Sequence, residues 1–307
     1  MNGVLTGFST IGSIIALGIL LAHFRVLGVD AQQLLSKLAF YVASPALLVT
    51  VLSDTDVSVV FSTGLIATVG GVLVVAAVQV AVARLVWRRT TAETVVAAFS
   101  ASYVNAANLG LPIAGYVLGD ASLVAPMLLT QLLLLQPVGL AVLDVTTREG
   151  PSGWGRRILV PLTNPLLLGP VLGLALALGN VRLPTPVADP LELVGGMAIP
   201  GMLLAFGISL RLGPLPGRGE SVTQVGLTVL LKMVVQPLVA FLLARYALGL
   251  SPHGVLAATV IAALPTAQNV FVTANRYGTA VVLARDAIFV STILSVPVLI
   301  GIAALLS

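Results

Sequence analysis

Apolar residues run along this chain in stretches of about twenty, separated by short polar breaks and without period-two alternation. A helix needs about that length to cross hydrocarbon, whereas barrel strands would alternate over about ten residues. The pattern predicts helices over 7–24, 33–53, 61–86, 94–118, 122–143, 158–179, 191–210, 222–247, 254–276 and 280–305. Turn signals separate them, among them Ser53-Asp54-Thr55-Asp56, Gly119-Asp120, Gly150-Pro151-Ser152-Gly153, Gly179-Asn180 and Gly213-Pro214-Leu215-Pro216-Gly217. The expected fold is an all-α polytopic membrane protein with ten transmembrane helices.

Two of these runs carry polar interruptions. In the ninth, Leu264-Pro265-Thr266-Ala267-Gln268-Asn269 places a proline and three hydrogen-bonding side chains where each is costly in hydrocarbon. In the fourth, Asn105-Ala106-Ala107-Asn108-Leu109-Gly110-Leu111-Pro112 does the same with two amides, a glycine and a proline. Broken membrane helices at matching places in two halves point to a transporter binding site.

Further matches support two halves. Pro45 and Pro200 stand 155 positions apart, whereas Arg84 and Arg245, Asn108 and Asn269, and Tyr116 and Tyr277 stand 161 apart. Pro137 and Pro297 follow at 160. Residues 1–150 therefore form a first five-helix repeat and 151–307 a second. Because five is odd, the second repeat is inverted in the membrane, and helices four and nine meet near its centre. Pro265 and Pro112 break the symmetry, since Pro265 aligns with Val104 and Pro112 with Thr273.

Composition and charge sharpen this picture. The 307 residues are 58% hydrophobic and 8% charged, a balance excluded for the surface of a soluble domain. With ten spans, Arg25, Lys37, Arg84, Arg88, Arg89, Arg148, Arg156, Arg157, Arg211, Arg218, Arg276 and Arg285 share one face, and only Arg182 and Arg245 lie on the other. The crowded face is cytoplasmic, so both termini are expected outside a multi-pass cytoplasmic (inner) membrane protein. Dispersed arginines give no nucleic-acid footprint. There is no cysteine, the two histidines His23 and His253 lie far apart, and no metal or cofactor site is suggested. No cluster of catalytic side chains suggests an enzyme.

Asn105 through Pro112, and Ala263-Leu264-Pro265-Thr266-Ala267-Gln268-Asn269 leading to Ala274-Asn275-Arg276-Tyr277-Gly278, resemble the auxin efflux carrier family in its bacterial, PIN-like form. Asn164-Pro165 in helix six, and Lys232 with Pro237 in helix eight, fit the same pattern. The resemblance spans essentially the whole chain. It implies crossed, broken helices four and nine in a bile-acid-symporter/NhaA-like arrangement. Helices 1, 2, 6 and 7 would form a scaffold, with helices 3–5 and 8–10 a transport domain moving as an elevator. It also implies a small organic anion as substrate, auxin-like or a mono- or dicarboxylate, surrounding membrane lipid and a homodimer. The long hydrophilic central loop of many plant members is missing, since Asp144 to Arg157 joins the halves.

Candidate substrate-binding residues are Asn105, Asn108, Thr266, Gln268 and Asn269, with Asn108 and Asn269 as the primary, symmetry-related pair. Gln131 and Gln136 on helix five join them where helical phase permits. Gly110, Pro112 and Pro265 shape the breaks. Ser44-Pro45 and Pro200-Gly201 read as kinks or close packing rather than ligand contacts. Lys232, about ten residues into helix eight, has two open readings: a cation that attracts the anion, or a lysine held by helix-end carbonyls. Asp286 is the candidate proton carrier, against its reading as an interfacial residue. Export by uniport or proton coupling is favoured over a sodium-coupled organic anion symporter, and an organic-acid receptor that moves nothing is the alternative from another class.

Overall fold

The computed structural model describes residues 2–53, 63–110, 113–147, 165–213 and 222–306. Pro112, Arg148, Arg156, Arg157, Arg218 and the first seven positions of the span expected at 158–179 lie outside them. Among the described residues the chain is all helical, apart from one isolated antiparallel bridge. The elements are α1 (Asn2–His23), α2 (Val29–Ser53), α3 (Thr63–Val86), α4 (Thr91–Ser102), α5 (Ala125–Thr147), α6 (Pro165–Leu178), α7 (Thr185–Leu212), α8 (Val222–Ala247), α9 (Pro252–Ala262), α10 (Asn269–Tyr277) and α11 (Val281–Leu306). Six of them, α2, α3, α5, α7, α8 and α11, are long and apolar enough to cross a bilayer.

Local chemistry explains where the helices start. α4 begins at Thr91 rather than 94 because Thr90 and Glu93 form a capping box: Thr90 Oγ accepts from the Glu93 amide at 3.3 Å, and Glu93 Oε2 accepts from the Thr90 amide at 2.9 Å. α9 starts on Ser251, whose hydroxyl accepts from the Gly254 amide at 3.2 Å, with Pro252 at its first position. α7 starts at Thr185, six residues before the expected 191, because Pro186 presets the first turn while Asp189 and Glu192 interrupt the apolar pattern only on the chain's exposed side.

Three prolines modify helices without ending them. Pro45, Pro137 and Pro237 lack an amide hydrogen, and each follows a wide π-type turn, at Ala39–Ala43, Gln131–Leu135 and Leu231–Val235. There the ladder steps back five residues, as in the Gln136 amide bonding to the Gln131 carbonyl and the Gln236 amide to the Leu231 carbonyl. The widened turns set Gln131 and Lys232 within otherwise continuous helices.

The interior is largely apolar, but burial departs from that of a water-soluble protein at both extremes. Leu85 is 79% exposed and Leu230 51%, whereas Lys232, Gln236, Thr266 and Asp286 are fully buried. Apolar outer surfaces around a polar centre are what hydrocarbon solvent requires. Two groups of helices pack most closely within themselves: α1, α2, α6 and α7, and α3, α4, α5, α8 and α9 with the flanking α10 and α11.

Small residues set the closest approaches in the first group. A Cβ on Gly207 would lie 2.2 Å from the Ile15 carbonyl, and one on Gly18 2.6 Å from the Leu204 carbonyl, so α1 and α7 touch backbone to backbone. Gly169 likewise meets the Pro45 carbonyl. Gly207→Ala should therefore force α1 from α7 and cost about 1–3 kcal/mol. Gly201→Ala, with nothing within 4 Å, should cost nothing and gain up to about 1 kcal/mol from helix propensity. Thermal unfolding of the detergent-purified variants distinguishes the two; equal melting temperatures would contradict the packing.

Candidate functional site

α4 ends at Ser102, and Tyr103 turns extended with φ −77° and ψ 112°. The chain after α9 does likewise around Pro265, whose ring disfavours helical geometry at Leu264. The two unwound segments pair with each other. Val104 and Thr266 form the antiparallel bridge, the Asn105 amide donates to the Pro265 carbonyl at 2.8 Å, and the Ala267 amide donates to the Tyr103 carbonyl at 3.2 Å. Each break thus supplies partners for backbone groups the other leaves exposed, which hydrocarbon would otherwise penalise by several kcal/mol apiece.

Side chains complete the pairing. Gln131 Nε2 donates to the Val104 carbonyl at 2.9 Å, and its Oε1 accepts from the Val104 amide at 3.2 Å. Ser291 Oγ accepts from the Thr266 amide at 3.1 Å, while the Thr266 hydroxyl donates to the Ser100 carbonyl at 2.6 Å. One turn apart on α8, Lys232 Nζ donates to the Ala262 carbonyl at 3.0 Å and Gln236 Nε2 to the Ser102 carbonyl at 3.1 Å. The carbonyl ends of α9 and α4, each about half a negative charge, converge on this stretch of α8. Lys232 therefore sits as a helix-end cap.

Beside the crossing lies a cavity of about 290 Å³. Ser44 and Leu48 of α2 and Ile199 and Met202 of α7 form one wall; the crossing, α5 and the start of α10 form the other. Asn105 Nδ2 donates to Gln268 Oε1 at 2.7 Å, and the Tyr103 hydroxyl donates to Gln136 Oε1 at 3.0 Å. Asn269 Nδ2 reaches the same Gln136 oxygen at 3.4 Å, and Asn269 Oδ1 is buried with no donor among the described residues. No described lining residue carries a charged side chain.

Outside the cavity lining, aromatic contacts join α2, α7 and α10. Phe206 and Phe271 meet edge to face at 5.6 Å, Phe40 and Tyr277 at 6.2 Å, and the Arg276 guanidinium lies over Tyr41 at 4.9 Å. Tyr277 donates to Asp144 Oδ1 at 2.9 Å.

Of the expected site residues, Asn105, Gln131, Gln268 and Asn269 come together at the cavity. Thr266 is turned to Ser100, and Lys232 is absent from the cavity wall. Pro265 makes the break as expected, and Gly110 is held where a Cβ would meet Val124 at 2.8 Å. Asn108 falls in the backbone turn Ala106–Gly110, with its side chain outside the described residues, as is Pro112. The pairing register is 103–105 with 265–267, so the crossing precedes Asn108. Asp286 is fully buried, and its Oδ1 accepts from Arg285 Nε at 2.8 Å. Ser44 lines the cavity rather than serving packing alone. Tyr103 went unread in the sequence; its place directly before the polar interruption was the available signal.

A crossing of two broken apolar helices beside a cavity with five side-chain amides in its wall is the geometry on which the comparisons bear. A family model described as "Membrane transport protein" matches residues 6–147 and 157–303, and the chain belongs to that family, the auxin efflux carriers. It is an integral membrane transporter and not an enzyme. A protein of Rhizobium meliloti (strain 1021) named "Putative malonate transporter" is 29% identical over 283 residues, covering 89% of this chain and 86% of the relative.

Gln131→Met should leave the buried Val104 amide unpaired, at about 1–3 kcal/mol, while the Val104 carbonyl keeps the Ala106 amide at 2.8 Å. Gln236→Met orphans the Ser102 carbonyl and should cost a similar amount. Thermal unfolding in detergent checks both; a Gln131→Met protein as stable as the parent would contradict the pairing.

Proposed function

We propose that the protein is a secondary carrier of small organic anions, short carboxylates of the malonate type, which binds its substrate in the cavity beside the crossing. The observation that carries this reading is the antiparallel pairing of two broken helices next to an amide-lined cavity between two helix groups. A carboxylate needs hydrogen-bond donors in a desolvated place, and amides with a helix N-terminus provide them without a permanent buried charge. The malonate-transporter name of the Rhizobium meliloti relative supports the substrate class.

Ten spans in two inverted five-helix repeats follow from counting α4 with the turns after it, and α9 with α10, as one broken span each. Gln131 and Ser291, which satisfy Val104 and Thr266 on either side of the crossing, stand 160 positions apart, the spacing of Pro137 and Pro297. In this reading α1, α2, α6 and α7 are the scaffold, and the remaining helices carry the site past them as an elevator. The protein sits in the cytoplasmic membrane with both termini outside, as a homodimer. Export is driven by the inside-negative potential at about 2.3 kcal/mol per charge per 100 mV, so no coupling ion is required.

Flux of labelled malonate and auxin into proteoliposomes tests the proposal, with and without an imposed potential, a proton gradient or a sodium gradient. Potential-driven, saturable flux is expected; flux that needs sodium would favour the symporter, and binding without flux a receptor. Asn269→Ala should weaken malonate binding about fivefold to tenfold, as one hydrogen bond of about 1 kcal/mol is lost. Asn108→Ala should weaken it by a different factor. If neither changes affinity, the crossing is structural and the site lies elsewhere.

A further inference from the structure

We infer that the carrier takes its substrate as a singly charged anion that also offers a hydrogen-bond donor, so that malonate binds in its half-protonated form. This rests on reading the cavity as the substrate site. The first observation is charge. No described residue lining the cavity is charged, and the nearest buried ammonium, Lys232, is engaged with the Ala262 carbonyl and does not line it. The fixed positive field there is the N-terminal end of α10, worth about half an elementary charge. That field offsets part of one carboxylate and leaves a second one unmatched in a poorly hydrated place.

The second observation is the hydrogen-bond inventory. Gln136 Oε1 already accepts from Tyr103 and Asn269, whereas Asn269 Oδ1 is buried with no donor. A buried acceptor at a binding site is satisfied when the ligand brings an N–H or O–H. A fully ionised dicarboxylate brings neither. A half-protonated one places its carboxylate toward the positive end of α10, whose Val270 and Phe271 amides already donate to the Ala267 and Gln268 carbonyls, and its O–H toward Asn269 Oδ1. The cavity, about 290 Å³, is small enough to hold such an acid without a large excess of water.

Among the described lining residues Tyr103 is the titratable one, and its hydroxyl donates to Gln136. From neighbouring elements, Lys232 donates to the Ala262 carbonyl, Asp144 accepts from Tyr277, Arg276 lies over aromatic rings, and Asp286 pairs with Arg285. On this inference malonate uptake follows the ligand's own second ionisation.

The test uses the full chain in proteoliposomes at equal pH on both sides and a fixed potential. Uptake of labelled malonate at constant total concentration is followed from below to well above its second pKa. It should fall about tenfold per pH unit once the dianion dominates, because the half-protonated fraction falls by that factor. Malonamate, with one permanent charge and an amide N–H, should compete with malonate equally well throughout that range. Monomethyl malonate, with one charge and no donor, should compete at least tenfold more weakly than malonamate, and this gap should close in Asn269→Ala. Malonate uptake that is flat or rises with pH, or an ester that matches malonamate on the parent protein, would overturn the inference while leaving the carrier reading intact. If none of the three anions binds or moves, both readings fall.

Discussion

Backbone in hydrocarbon must find its partners within the protein, and the two breaks at Tyr103–Asn105 and Pro265–Ala267 meet that demand by pairing with each other. Much of the centre of the molecule follows from this constraint. Gln131 and Ser291 are drawn in from α5 and α11 to complete the pairing, and Lys232 and Gln236 from α8 to hold the carbonyl ends it leaves behind. Hydrogen-bonding side chains that would be liabilities on the outer surface become the supports of an opening in the bilayer core.

The same arrangement separates charge. Carbonyl ends of α4 and α9 gather on the Lys232 side, so this buried amine is held by a backbone carbonyl, with no carboxylate partner among the described residues. The cavity on the other side is lined mainly by apolar side chains, with the amides of Asn105, Gln131, Gln136, Gln268 and Asn269 in one wall. No charged side chain lines it among the described residues, so an anion bound there would form no salt bridge. The wall of α2 and α7, built on glycine contacts such as Gly207 against Ile15 and Gly169 against Pro45, gives the crossing a close-packed surface to work against.

Much of this was legible in the sequence because hydrocarbon makes polar residues conspicuous. The apolar runs mark the helices, and the polar interruptions near Asn105 and Pro265 mark the crossing and three of its polar cavity residues, Asn105, Gln268 and Asn269. Register was not legible. Matching Asn108 with Asn269 places the contact by repeat spacing, whereas the observed pairing begins where the α4 ladder ends, at Tyr103. The depth of Lys232 was evident from its position in α8, but its partner is a backbone carbonyl, which no side-chain pattern reveals. Asp286 lies near a helix start, and its burial beside Arg285 is a tertiary fact that no local pattern reveals.

A cryo-EM reconstruction of the protein in lipid nanodiscs with saturating malonate tests the central claim most directly. The expected result is ligand density between Ser44 and Asn269, beside an intact Val104–Thr266 bridge. Ligand density at Lys232 or away from the crossing, or two breaks that do not pair, would contradict the account.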